Sequence, residues 1–215
     1  MRFADRENAG DRLAALLEEF RGTDALALGI PRGGVVVASR VATRLGLTLG
    51  AVSVKKVPCP FNPELAVGAV AADGTELLNE EAVRALSIGP DELRLAVEAA
   101  LDEARRREAA YGCPIGAVSG RRVLIVDDGL ATGYTAIAAV RYATRHGAES
   151  VTVAVPVAAR SSARMVATEC RKVVAVTLTD ELESVGQWYD DFRPVDDQHV
   201  LQLLRPEHPQ AGPGA

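Results

Sequence analysis

The amino-acid sequence predicts an α/β fold built on a doubly wound, mainly parallel five-stranded sheet with an inserted β-hairpin. Short apolar runs alternate with helical patterns along the 215 residues, which is typical of parallel strands joined by crossover helices. The composition, 48% hydrophobic and 25% charged, is that of a globular chain with one full core. We therefore predict a single domain over residues 1–215, with its core at about residues 22–180 and right-handed crossovers that give the strand order 2-1-3-4-5.

The N-terminal segment contains a predicted helix and the first strand. A helix is predicted over Asp5–Phe20, because apolar side chains recur on one of its faces, namely Leu13, Leu16, Leu17 and Phe20. The first buried strand is predicted over Ala25–Ile30. A loop follows it, and a second helix is predicted from Val35 onward.

The loop after the first strand has the sequence Pro31, Arg32, Gly33, Gly34. Its two glycines allow the backbone to come close to an anion, and Arg32 supplies a fixed positive charge with a planar fork of donors. Taken alone, an Arg-Gly-Gly sequence is more often a plain turn than a binding site.

The second strand, predicted over Leu47–Val54, brings Lys55 and Lys56 to its carboxyl end. Paired lysines at such a position are more often solvated surface than ligand contacts. In Val57–Asn79, two β runs flank Asp73-Gly74, which is a strong hairpin signal. This hairpin opens an insertion over about residues 57–120 between the second and third strands.

Two helices are predicted in the rest of the insertion. The first covers Glu80–Leu86 and the second covers Pro90–Tyr111, where Pro90 suits the first turn. The arginines at 105, 106 and 107 predict a solvated face near the end of the longer helix.

The third strand carries the most informative stretch of the chain. Val123–Val126 is a continuous aliphatic run, the mark of a parallel strand buried on both faces, and it stops at Asp127 and Asp128. Ligands of open α/β sheets bind at the carboxyl ends of the strands, so the two acids are placed to hold a polar ligand. The small-residue loop Gly129–Gly133 then leads into a helix, and its backbone N–H groups with nearby threonine hydroxyls suit a phosphate monoester.

The remainder of the chain continues the alternation. Helices are predicted over Ala136–His146 and Ser161–Thr168, and strands over Val151–Val157 and Val173–Leu178. The C-terminal segment differs in composition, since it contains the only tryptophan and ends in a short helix. Residues 206–215 predict a frayed tail.

The stretch Val123–Thr135, VLIVDDGLATGYT, resembles residue by residue the phosphoribosyl-pyrophosphate (PRPP) binding motif of the type I phosphoribosyltransferases. The resemblance implies that Asp127 and Asp128 hold the ribose hydroxyls and take part in catalysis with Mg²⁺. It also implies that the following loop wraps the 5′-phosphate, through Gly129, Leu130, Ala131, Thr132, Gly133, Tyr134 and Thr135. The fold expected from the resemblance is the phosphoribosyltransferase fold.

The same resemblance assigns roles to three further segments. The Pro31–Gly34 loop is expected to bind pyrophosphate, and at least one of Lys55 and Lys56 to assist catalysis as an anion contact. Val57–Asn79 is expected to be a mobile lid, with a rigid edge hairpin as the alternative. A small hood from residues 1–20 and 181–204 is expected to cover the acceptor, with Trp188 or Tyr189 stacking on it.

Together these features predict a Mg²⁺-dependent transfer of ribose 5-phosphate from PRPP to a nitrogenous acceptor, with release of pyrophosphate. The partners are PRPP and a small-molecule acceptor, for which a base is the expected class. Two alternatives stay open: a regulatory protein that binds PRPP without turnover, and a nucleotide-cleaving hydrolase that uses the same pocket. The 6-oxopurine enzymes of the family carry Asp where this chain has Ala131, so the acceptor is not set by the motif.

Other phosphate-binding motifs fit the third strand less well. A nucleotide P-loop needs a lysine after its last glycine, whereas Gly133 is followed by Tyr134. The G-x-G-x-x-G sequence of dinucleotide-binding folds is missing, and a response-regulator receiver lacks the T-G-x-T continuation. No histidine lies in a motif, so no histidine base is expected.

Composition narrows the class of partner. The formal net charge is −5 and no long basic run is present, which disfavours electrostatic binding of nucleic acid. The three cysteines, Cys59, Cys113 and Cys170, lack the spacing of a disulfide framework or a zinc site. The polar N-terminal sequence and the lack of a long apolar run predict a cytoplasmic protein without membrane association, and a homodimer is compatible with the sequence.

Overall fold

The computed structural model describes residues 2–112 and 118–205. Cys113 and the tail predicted to fray, residues 206–215, lie outside this part. Two short 3₁₀ turns, Glu18–Phe20 and Val185–Trp188, accompany the regular elements.

The helices and strands alternate as the sequence predicts. The helices are α1 Arg6–Ala14, α2 Gly33–Leu45, α3 Glu80–Ala85, α4 Pro90–Tyr111, α5 Tyr134–Arg145, α6 Arg160–Ala167 and α7 Asp197–Leu204. The strands are β1 Leu26–Gly29, β2 Thr48–Ala51, β3 Val54–Cys59, β4 Asn62–Ala71, β5 Glu76–Leu78, β6 Arg122–Val126, β7 Ser150–Ala159 and β8 Lys172–Thr179.

The central sheet is parallel throughout, with the order β2-β1-β6-β7-β8. Counted along the main sheet alone, this is the predicted order 2-1-3-4-5, which is confirmed. Strands β1 and β6 are neighbours, and Gly29 at the end of β1 pairs with Val126 at the end of β6. The loops that follow these two strands therefore leave the same edge of the sheet side by side.

Both faces of the sheet are covered, because alternate residues of each strand point to opposite sides. In β6, Val123 and Ile125 join the core under α5, whereas Leu124 and Val126 join the core under α1 and α2. All four are fully buried, which explains the uninterrupted apolar run.

The insertion forms a sheet of its own rather than a simple hairpin. Strands β3, β4 and β5 are antiparallel in that order, and the predicted turn at Asp73-Gly74 joins β4 to β5, with Gly74 at φ 87°. The second core strand ends at Ala51, so Lys55 and Lys56 lie within β3 and not at the carboxyl end of β2. The apolar pattern continues from β2 into β3, so the sequence predicts one strand where the structure has two.

The inserted sheet is anchored to the core at its base. Val54, Ala69 and Ala71 belong to the same buried cluster as the central sheet, and α4 packs on the other part of β3 and β4. The tip of the insertion is open, with Phe61 67% exposed. The anchored base fits the rigid alternative, and a mobile lid at the exposed tip stays a prediction.

The N-terminal helix is shorter than predicted. Asp5 caps it by accepting a hydrogen bond from the Asn8 N–H at 2.7 Å, and it ends at Ala14 instead of Phe20. Leu13, Leu17 and Phe20 are buried as expected, but Leu16 is 49% exposed because the chain turns before it.

The predicted hood joins the N-terminal residues to the segment that precedes α7. The Phe3 N–H donates to the Trp188 carbonyl, and the Asp190 N–H donates back to the Phe3 carbonyl, both at 2.8 Å. Helix α7 lies elsewhere, with Val200 packed near Val35 of α2 and Tyr111 of α4. In the described part of the chain, no helix has both the length and the apolar character needed to cross a membrane.

Candidate active site

A cavity of about 730 Å³ lies at the carboxyl ends of β1 and β6. Its walls come from the loops after these strands, from β3 and β4, and from α4. The structure brings most of the predicted site residues to it, namely Pro31, Arg32, Gly33, Lys55, Lys56, Asp127, Asp128, Gly129, Leu130, Ala131, Thr132, Gly133 and Thr135. Two motifs that are almost a hundred residues apart in the chain therefore border one space.

The two acids at the end of β6 have different surroundings. The Asp128 N–H donates to Asp127 Oδ1 at 2.8 Å. Burial, followed by the neighbouring Asp128 carboxylate, raises the pKa of Asp127 well above its usual range, while Lys56 and Arg6 oppose this shift. The carboxylate of Asp128 instead forms an ion pair with Arg6, whose Nε lies 2.8 Å from Asp128 Oδ2.

Arg6 is a site residue that sequence reasoning missed. It lies at the start of α1, its side chain is only 11% exposed, and its guanidinium stacks 3.8 Å from the centre of the Phe192 ring. A second donor of Arg6 reaches the Arg193 carbonyl at 3.0 Å. The contact with Asp128 spans 122 residues of sequence, and an arginine in a first helical turn carries no signal for it.

The glycines of the Pro31–Gly34 loop are needed for close approach. A Cβ atom on Gly33 would overlap Asp128 Oδ2 and lie 2.7 Å from Arg6 Nε. A Cβ on Gly34 would lie 2.7 Å from the Val126 carbonyl oxygen. The loop after β1 can therefore pack against the acidic pair only without side chains at these positions. The peptide bond between Pro31 and Arg32 is cis.

The small-residue loop after β6 is held in place by hydrogen bonds to β7 and α6. Leu130 makes two backbone hydrogen bonds to β7. The Leu130 N–H donates to the Val157 carbonyl at 2.8 Å, and the Leu130 carbonyl accepts from the Ala159 N–H at 2.9 Å. The Ser162 hydroxyl donates to the Ala131 carbonyl. Gly133, at φ 86°, then turns the chain into α5, whose N-terminus faces the cavity region. Backbone N–H groups at such a helix start favour an anion.

Helix α4 supplies a wall that the sequence analysis did not predict. Its lining residues are Ala96, Ala99, Ala100, Glu103 and Arg107. The prediction of a solvated arginine face is wrong for Arg107, whose side chain is 21% exposed, and it holds for Arg106 at 68%. The spacing of the alanines on one face of the helix was the available signal, since small residues allow a helix to approach a partner or a cavity.

Positive charge collects at this wall. Burial lowers the pKa of Lys55, and the nearby Arg107 and Arg32 lower it further, while Glu103 and Asp197 oppose them. The Glu103 carboxylate accepts hydrogen bonds from Arg106 and from Arg107, at 2.8 and 3.0 Å. These bonds and the nearby cations lower the pKa of Glu103.

Four predicted contacts do not line the cavity. Gly34 packs against Asp127 and is not in the cavity lining. Tyr134 begins α5, and its half-buried ring lies near Glu81. Tyr189 is 2% exposed in the hood, where its hydroxyl donates to the Asp128 carbonyl at 2.6 Å. Trp188 is half-buried against the same hood cluster. Neither of these two aromatics lines the cavity, and both contribute to hood packing.

The carboxylates at the cavity are candidate ligands for a metal ion. Within residues 2–112 and 118–205, no group of three or more His, Cys, Asp or Glu side chains is arranged to hold a metal ion. Mg²⁺ commonly binds proteins through one or two carboxylates and completes its shell with substrate phosphates and water. Asp127 and Asp128 beside an open cavity fit a Mg²⁺ ion that arrives with a phosphorylated ligand.

Comparison with known proteins agrees with this geometry. A family model described as "Phosphoribosyl transferase domain" matches residues 4–190. A Mycobacterium tuberculosis protein named "Putative phosphoribosyl transferase Rv0571c" is 37% identical over 208 residues, which make up 96% of this chain and 47% of that protein. The chain thus spans about half the length of the curated relatives it matches.

A solved structure is similar over the whole fold. The crystal structure of TT1426 from Thermus thermophilus shares 38% sequence identity with this chain and superposes with a TM-score of 0.74. The match covers 95% of this chain and 98% of the Thermus chain.

Proposed function

The chain belongs to the phosphoribosyltransferase family, and from that premise we propose that it is a Mg²⁺-dependent enzyme that transfers ribose 5-phosphate from PRPP. The acceptor is nitrogenous, and pyrophosphate is released. One observation carries the proposal: the acidic pair, the Gly129–Gly133 loop and the Pro31–Gly34 loop border a single cavity. A PRPP molecule offers a matching group to each of them, namely ribose hydroxyls, a 5′-phosphate and a pyrophosphate.

In the proposed reaction, the acceptor nitrogen forms a bond to C1 of the ribose as the bond from C1 to pyrophosphate breaks. Positive charge develops on the ribose ring, and the carboxylates of Asp127 and Asp128 stabilise it. Negative charge develops on the leaving pyrophosphate, where Arg32 and Lys55 or Lys56 stabilise it. Asp127 and Asp128 would hold a Mg²⁺ ion, which would supply further charge neutralisation for the leaving group.

The 5′-phosphate is placed in the loop that leads into α5. Gly129, Ala131 and Gly133 keep this loop free of bulky side chains, and the Thr132 and Thr135 hydroxyls add hydrogen-bond donors. The helix N-terminus and the exposed backbone N–H groups favour the doubly charged phosphate.

A base remains the proposed class of acceptor, but its position changes. The aromatics of the hood do not line the cavity, whereas an apolar wall does, formed by Pro58, Pro63, Ala66, Ala96, Ala99 and Ala100. An apolar wall of small side chains and prolines suits the face of a planar ring. We therefore place the acceptor beside the insertion instead of under the hood. A cytoplasmic location and the oligomeric state stay predictions from the sequence.

Ligand-induced stabilisation tests the binding step. PRPP with Mg²⁺ is expected to stabilise the protein by about 2.7 kcal/mol at a hundredfold excess over its dissociation constant, since it binds the folded state alone. Asp128→Asn should reduce this stabilisation, and Asp190→Asn, an exposed hood carboxylate outside the cavity lining, is the matched control. Because Asp128 also pairs with Arg6, the comparison uses the ligand-induced shift of each variant and not its absolute melting temperature.

Turnover is tested separately by measuring pyrophosphate release from PRPP across a panel of bases. Release that depends on one of the bases supports transfer. Stabilisation by PRPP without any turnover would instead favour the regulatory protein, and ribose 5-phosphate formed without a base would favour the hydrolase. The binding proposal fails if millimolar PRPP with Mg²⁺ leaves the wild-type melting temperature unchanged.

A further inference from the structure

Helix α4 belongs to the insertion, yet one of its faces carries a row of polar groups toward the site. Glu103, Arg107 and Tyr111 are spaced four residues apart, so their side chains lie on one face of the helix. Glu103 and Arg107 line the cavity. Tyr111 continues the row by donating its hydroxyl hydrogen bond to Asp197 of α7 at 2.5 Å.

This row meets the predicted pyrophosphate loop. A terminal nitrogen of the Arg32 guanidinium also lies 3.9 Å from Asp197 Oδ1. Arg107, Lys55 and Arg32 thus border one part of the cavity, where Glu103 and Asp197 oppose their positive charges. Three other acidic residues also line the cavity, namely Glu64, Asp127 and Asp128. Burial lowers the pKa of Lys55, and Arg107 and Arg32 act in the same direction, while Glu103 and Asp197 act against them. Three cationic side chains that meet at one part of a cavity favour an anionic group of the ligand there.

The donors of Arg107 are only partly used. Its Nε donates to Glu103 Oε1 at 3.0 Å, which fixes the plane of the guanidinium. Among the residues that the structure describes, its two terminal nitrogens make no hydrogen bond. A guanidinium with one edge fixed and the other free presents a fork that matches two phosphate oxygens.

We propose that Arg107 binds the pyrophosphate group of the ligand together with Arg32 and Lys55, so that the inserted helix completes the anion site. The proposal rests on the proposed function and deepens it, because it names a site residue outside both sequence motifs. Glu103 is a positioning residue in this arrangement, since it holds the Arg107 guanidinium without touching the ligand.

Neighbouring arginines do not share this role. Arg106 is 68% exposed, does not line the cavity, and donates to the other oxygen of the same carboxylate, Glu103 Oε2, at 2.8 Å. Arg105 donates to the Ala72 carbonyl at 3.3 Å. Arg106 is therefore a matched control, because it has the same side chain, the same helix and the same partner as Arg107 but points away from the cavity.

The test compares Arg107→Gln with Arg106→Gln by isothermal titration calorimetry. Three probes are titrated into the protein in the presence of Mg²⁺: inorganic pyrophosphate, PRPP and ribose 5-phosphate. Arg107→Gln should weaken pyrophosphate and PRPP by at least tenfold, the usual loss for charge-assisted hydrogen bonds, and ribose 5-phosphate by less than twofold. Arg106→Gln should change all three by less than twofold. Arg107→Lys, which keeps the charge but not the fork, should lie between the wild type and Arg107→Gln.

The outcomes separate this proposal from the function on which it rests. In the first outcome, the wild type binds PRPP, and Arg107→Gln and Arg106→Gln bind it equally well. This result overturns the role of Arg107 and leaves the proposed function standing. Pyrophosphate binding that is lost in Arg107→Gln, with no PRPP binding by the wild type, supports the anion site and overturns the proposed function. Equal losses for all three probes also overturn the assignment. If Arg107→Gln does not fold, Arg107→Lys decides, and wild-type pyrophosphate affinity in that variant counts against the proposal.

Discussion

Replacing Arg6 with methionine removes the cation that joins the N-terminal helix to the acidic pair. Methionine keeps most of the volume and the flexibility of the arginine stem, so the change deletes charge and donors more than packing. We expect Arg6→Met to destabilise the fold and to weaken PRPP binding, because the Asp128 carboxylate loses the group that orients it.

The structure sets the size of the effect. The ion pair of Arg6 with Asp128, at 2.8 Å, has side chains only 11% and 18% exposed, so solvent screens it weakly. A hydrogen bond between charged groups contributes about 1.5–3 kcal/mol, and the bond to the Arg193 carbonyl adds about 1 kcal/mol. Stacking on the Phe192 ring adds about 0.5–1 kcal/mol. Packing of the methionine side chain recovers part of this stabilisation. The expected loss in the free energy of unfolding is therefore roughly 2–4 kcal/mol.

Urea unfolding of four proteins measures this loss: the wild type, Arg6→Met, Asp128→Asn and the double variant. The coupling free energy between the two sites should be about 1–3 kcal/mol, as for residues in one ion pair. Arg12→Met is the comparison variant, since Arg12 lies on the same helix, stacks on the Phe3 ring at 4.7 Å and donates to the Arg2 carbonyl at 3.4 Å. Its loss should be smaller than that of Arg6→Met, whose ion pair with Asp128 is largely buried.

Two results would refute the reasoning about Arg6. A loss in Arg6→Met no larger than that in Arg12→Met would show that the ion pair with Asp128 makes Arg6 no more stabilising than another arginine of the same helix. Additive losses in the double variant would show that Arg6 and Asp128 do not act on each other.

Two further predictions concern the hood and the N-terminal helix. Tyr189→Phe keeps the ring contacts with Phe3 and Phe192 but leaves the Asp128 carbonyl without its 2.6 Å donor, so urea unfolding should show a loss of about 1–3 kcal/mol; an unchanged midpoint would contradict it. Hydrogen bonds from Arg44 and then Arg40 hold the pKa of Asp11 well below its usual range. That stabilisation is present above the unfolded-state pKa and is lost as the pH falls, so the advantage of the wild type over Asp11→Asn should shrink between about pH 5 and pH 2. A constant difference over this range, measured by urea unfolding, would count against the Asp11 contacts.

Sequence reasoning succeeded where the signal is continuous along the chain. The run Val123–Val126 specified a strand buried on both faces, and α4 begins at Pro90 and ends at Tyr111 as predicted. The strand order followed from the alternation of strands and helices, because right-handed crossovers leave few arrangements. The acidic pair and the small-residue loop could be identified because their neighbours in sequence are also their neighbours in the site.

Sequence reasoning failed where the pattern does not record which way the chain turns. The run through Lys55 and Lys56 reads as one strand with what precedes it, although the chain leaves the central sheet after Ala51 and begins a second sheet at Val54. The aromatics Trp188 and Tyr189 offered two uses, hood packing or ligand stacking. In the folded chain Tyr189 is buried in the hood and Trp188 packs, partly buried, against the same cluster.

The sequence by itself therefore determined the family, the central sheet and the two loops that border the cavity, since each depends on residues that are contiguous in the chain. Only the tertiary structure brought Arg6 to Asp128 and turned Arg107, but not Arg106, toward the same cavity. The physical reason is that a long cationic side chain can act far from its own place in the sequence. Whether it reaches a carboxylate, a ligand or solvent depends on the rotation of its helix and on the elements packed around it.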